Sequence, residues 1–77
     1  MWEWTSFAPG RSGGGACDDE RGARIAAEAW MREHHGTAAR AAPVDLDAME
    51  SKYVPAGDAI EASAQDGDRI TWQPAAQ

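Results

Sequence analysis

The sequence predicts an α+β fold, one helix packed on a small, mainly antiparallel sheet in the order β-α-β-(β)-β-β. Three observations predict it. Apolar and polar residues alternate at the start of the chain and again over residues 42–47, the two-residue period of a strand with one buried face. A single stretch, residues 18–36, carries both the start and the stop of a helix, and residues 58–74 read as two short strands about a turn.

The first element is "MWEWTSFA", with Trp2 and Trp4 on one face and Glu3 and Thr5 on the other. If this strand lies at a sheet edge, the two tryptophans form an apolar contact surface for another chain. Pro9-Gly10 ends it. In "GRSGGGA" no side chain offers an anchor, so residues 9–17 are expected as a flexible glycine-rich loop within the domain.

The helix follows in "DDERGARIAAEAWMREHHG". Asp18 is placed to accept from an orphan N–H of the first turn, and Asp19 and Glu20 put negative charge at the positive end of the helix dipole. At about 100° per residue, Gly22, Ile25, Ala26, Ala29 and Trp30 share an arc expected to face the sheet, and Arg24, Glu28, Met31 and His35 lie away from it. Gly36 is expected to take the left-handed conformation that ends the helix.

In "RAAPVDLDA", Ala42, Val44 and Leu46 alternate with Pro43, Asp45 and Asp47. Proline cannot donate to a ladder, so this strand is expected at an edge or beginning after Pro43. "MESKYVPAG" fits a helical turn or a short strand ending near Tyr53 and Val54, closed by Pro55 and Gly57. The last strands form a hairpin for which the loop Gln65-Asp66-Gly67 would set Ala62 opposite Ile70 and Ile60 opposite Trp72, keeping the apolar pairs on one face.

Residues 1–77 suffice for a single small domain with one core. Apolar residues make up 43% of the chain, but much of that is alanine, so the core is expected to rest on the four tryptophans. Thirteen acidic against seven basic residues give a net charge of −6, which disfavours direct nucleic-acid binding by phosphate contacts. It suits a basic protein partner. No apolar run is long enough to span a bilayer, "MWEWTSFAPG" lacks the pattern of a secretion signal, and the single Cys17 cannot form an internal disulfide. A cytoplasmic location is the expectation.

Four constellations invite a chemical reading. His34 and His35 are adjacent on the helix, so they diverge by about 100°, whereas helical zinc sites space their ligands by three or four residues. Cys17, at the other end of the helix, lies roughly 25 Å away. A helix C-terminus favours protonated imidazole, which accounts for both histidines without a metal or Glu33. Cys17 precedes a helix N-terminus, but three acids follow it and oppose a reactive thiolate. The glycine run has no lysine of a phosphate-binding loop. Asp45 with Asp47, and Asp66 with Asp68, do not amount to a calcium loop.

These readings favour a non-catalytic protein-interaction or regulatory module with no cofactor. Its contacts are expected from Trp2, Trp4, Tyr53 and Trp72 and from a sheet edge, through which it could also form a homodimer. An acidic decoy for nucleic-acid-binding proteins is one alternative. A small metal-binding protein using His34, His35 or Cys17 is another.

Overall fold

The computed structural model describes residues 1–65 and 69–75. One helix lies on a six-stranded antiparallel sheet, the expected α+β class. The strands are β1 (Trp2–Ala8), β2 (Arg11–Cys17), β3 (Ala38–Asp47), β4 (Lys52–Pro55), β5 (Ile60–Gln65) and β6 (Arg69–Pro74), with α1 (Glu20–His34) between β2 and β3. The spatial order is β2-β1-β3-β5-β6, and β4 pairs with the far half of β3. Since β1 is antiparallel to both neighbours, β2 and β3 are parallel, and α1 makes the crossover between them over β1.

The glycine-rich stretch is not a loop. It is β2, paired along its whole length with β1 from Trp2–Cys17 to Ala8–Arg11. Pro9 and Gly10 form the two-residue turn, and Gly10 supplies a left-handed φ of 77°. A Cβ at Gly13 would collide with the Trp30 indole, and one at Gly15 would lie 3.1 Å from Trp4 Nε1. The glycines let two indoles lie on the strand.

Pairing on both sides makes β1 and β3 interior strands, so neither the N-terminal strand nor the proline-containing strand is the expected edge. β3 begins at Ala38, before Pro43. The proline is tolerated because it falls where β1 runs out, opposite Trp2, and its carbonyl still accepts from the Ala56 N–H at 3.0 Å.

The helix is capped by Asp19 rather than Asp18; its carboxylate accepts from the Gly22 N–H at 2.8 Å. At the other end His35, not Gly36, adopts the left-handed conformation, with φ 55°. The buried side chains are Ala23, Ala27 and Met31, so the helix is turned by about one residue, or 100°, from the expected arc. Ile25 is 59% exposed, and Ala29 is exposed as well.

The core is a thin alanine layer with tryptophans at its margin. Ala23, Ala27, Ala39, Ala41 and Ala62 are buried with Met31, and Trp4, Trp30 and Trp72 pack partly buried against this layer. Ser6 is fully buried, and its hydroxyl donates to the Ala27 carbonyl at 3.0 Å. Small side chains on both layers bring helix and sheet close enough for that bond.

The final hairpin keeps the expected faces in a different register. Ala62 lies opposite Trp72 and Ala64 opposite Ile70, a shift of two residues. The loop residues Asp66 and Gly67, together with Asp68, are outside the described residues.

Candidate interaction surface

Strand alternation gives the sheet two unlike faces. On the helix side stand Trp2, Trp4 and Ser6 of β1, Ala39 and Ala41 of β3, Ala62 and Ala64 of β5, and Ile70 and Trp72 of β6. The Trp72 indole N–H donates to Glu28 Oε2 at 3.0 Å, and the Arg24 guanidinium lies 5.6 Å from its ring centroid. Three of the four residues expected to meet a partner are therefore turned toward the helix. Trp4 and Trp72 join the core cluster, and Trp2 is half-buried on an interior strand.

Among the described residues no helix covers the opposite face. Here Glu3, Thr5 and Phe7 of β1 lie beside Arg40, Ala42 and Val44 of β3. Beyond Pro43 the chain continues as a two-stranded arm, β3 with β4, in which Leu46 stands opposite Tyr53 and Val44 opposite Pro55. Sheet and arm together form a groove of about 400 Å³ that reaches from Phe7 to Tyr53, Pro55 and Gly57. Phe7 is 45% exposed, Tyr53 43% and Leu46 61%. Tyr53 alone of the expected contact residues stands on this open face. Groups of this kind, apolar side chains with a few polar ones between them, suit recognition of a surface.

The histidines and the cysteine do not converge. His34 stacks on Trp30, ring centroids 4.4 Å apart, and its Nδ1 lies 3.1 Å from the Trp30 carbonyl. His35 lines a separate concavity of about 320 Å³ with Met31, Arg32, Gly36, Thr37, Ala64 and Ile70. Cys17 is half-buried beside Gly22, at the far end of the helix. Glu33 is exposed. Among the described residues no three of His, Cys, Asp and Glu gather in a metal-binding group. The Asp47 carboxylate instead accepts from the Met49 and Glu50 N–H groups at 3.0 and 3.3 Å and holds the turn of the arm. No helix among the described residues is long and apolar enough to cross a membrane.

No known family, curated protein or solved structure matches the chain. Sequence reasoning missed Phe7 and Leu46, and for Phe7 a signal was present: it falls out of phase with Trp2 and Trp4. An aromatic residue on each face of one strand marks a strand with something apolar to contact on both sides.

Proposed function

We propose that this chain is a small, acidic, non-catalytic protein-interaction module that docks a partner on the open face of its sheet. The observation that carries the reading is the uncovered groove from Phe7 to Tyr53, in which Phe7, Ala42, Val44, Tyr53 and Pro55 stand with Glu3, Thr5 and Arg40 between them, set in a molecule of net charge −6. The occupant that suits it is a protein segment presenting apolar side chains flanked by Lys or Arg. Burial of the aromatic groups supplies affinity, and the negative field speeds encounter. The decoy alternative asks for uninterrupted rows of carboxylates. Glu20 and Glu28 are instead paired with Arg24 and Arg32, and Glu50 with Lys52.

The test is affinity capture from the native cell extract with the wild type, with Phe7→Ser/Tyr53→Ser, and with the charge-preserving control Arg21→Lys. The expected result is a stoichiometric protein held by the wild type and the control and lost by the double variant, with capture weakening gradually as salt rises. A partner retained by the double variant overturns the open-face assignment. Capture of nucleic-acid-binding proteins alone, abolished by moderate salt, favours the decoy.

A further inference from the structure

The edge strand β2 and the helix above it leave two unsatisfied surfaces on the same side of the molecule. The Phe7 carbonyl accepts from the Thr37 N–H at 2.8 Å, which fixes the odd-numbered backbone groups of β1 toward β3 and the even-numbered ones toward β2. In the β1–β2 register, Ser12, Gly14 and Ala16 then direct their N–H and C=O groups outward from the sheet. The opposite edge differs. β6 ends in Pro74, which has no N–H to offer.

Above β2 the helix presents the arc Gly22, Ile25, Ala26, Ala29 and Trp30. Its orientation is set by contacts on both flanks. Trp30 lies on Gly13 and Gly22 lies against Cys17, both in β2, whereas Arg24 and Glu28 reach Trp72 in β6. The arc therefore overhangs the β2 edge. Ile25 and Ala29 on it are exposed. Glu33, one turn beyond Ala29, is the exposed charge on this face; the exposed Ile25 and Ala29 and the flat, glycine-rich strand edge are each costly to leave in water.

The geometry points to a two-fold homodimer in which β2 pairs antiparallel with its own copy about Gly14, and the helix arcs pack across the same axis. Three features fit a second copy of this chain. The register that overlaps the full strand sets Gly14 opposite Gly14 and Ser12 opposite Ala16, matching outward groups to outward groups. The same register sets Arg11 opposite the partner copy's position 17, next to the aspartates that lead into its helix. Arg11 and Asp18 are both exposed, and neither is in an ion pair among the described residues, so two reciprocal ion pairs close the ends of the paired strands. Finally, α1 lies chiefly over β1. The two β1 strands would be separated by three strand spacings, or about 14 Å. Helices with small contact residues pack at about 8–10 Å, which leaves room for the exposed Ile25 side chains of the two copies.

The dimer is not a disulfide species, because the register puts the two copies of Cys17 at opposite ends of the paired strands. The open face remains free, so this assembly is independent of the partner docking proposed above. Sedimentation equilibrium of the full chain under reducing conditions tests it, alongside Ala29→Arg, Arg11→Glu and the charge-swapped pair Arg11→Glu/Asp18→Arg. Circular dichroism of each variant establishes that it folds. The expected result is a reducing-agent-insensitive dimer, dissociation at least tenfold easier in Ala29→Arg and in Arg11→Glu, and recovery in the charge swap. A wild type that stays monomeric across the concentration range overturns the inference. So does a dimer indifferent to both single substitutions.

Discussion

At position 13 a hydrogen in place of a side chain decides where Trp30 lies. The ring that rests there also stacks on His34, so one glycine orders two side chains at the helix C-terminal half. Gly13→Ala should displace the indole and lower stability by about 1–3 kcal/mol, the range for a methyl group forced into a filled site. Ser12→Ala, on the other face of the same strand, should change little. Urea midpoints compare them, and equal midpoints would refute the contact. Composition alone reads Gly13, Gly14 and Gly15 as linker, because a missing side chain leaves no local trace of the ring that takes its place. Ser6 has the same character. It interrupts the Trp2–Trp4 face as a polar residue, and only the approach of Ala27 gives its hydroxyl a partner.

At the scale of the element, the helix was legible in its extent and misleading in its rotation. Its start and stop were marked by Asp and Gly residues, but the chain uses neighbouring positions. Both the His35 and Gly36 N–H groups donate to the Met31 carbonyl. Gly36 is needed for space, since a Cβ there would lie 2.9 Å from Met31 Cα, and His35 carries the left-handed conformation. His35→Gly should therefore raise stability by about 1 kcal/mol, relieving a non-glycine residue from that region. Gly36→Ala should lower it by about 1–3 kcal/mol through overpacking. Thermal melts that shift in the same direction would contradict this division of roles. The rotation follows from contacts beyond the helix: alanines 23 and 27 meet the sheet where close approach is needed, and Glu28 and Arg24 are held at Trp72.

The whole molecule measures 43 × 22 × 21 Å, and β3 and β4 extend past the five-strand core as a ribbon of two. A two-stranded ribbon is marginal by itself, because half of its backbone groups and most of its side chains stay in contact with water. Hydrogen exchange should divide the sheet accordingly. The amides of Asp45 and Val54 in the arm should exchange orders of magnitude faster than those of Thr5, Arg40 and Ala41, which lie between paired strands. Uniform protection would mean that the arm is held by more than its own ladder. In the dimer, the amides of Ser12, Gly14 and Ala16 should join the protected set.

The sequence by itself determined the fold class, the existence of the helix, and which residues of each strand share a face. Those properties are periodic and local, and a two-residue period survives any shift of register by two. That is why the last hairpin kept its faces while its partners moved to Ala62–Trp72 and Ala64–Ile70. Only the tertiary structure decided that residues 11–17 form a strand, that β1 and β3 are interior, and which side of α1 is covered. Strand order, helix rotation and the uncovered face all depend on groups distant in sequence, whose contacts are selected by the packing of the whole chain.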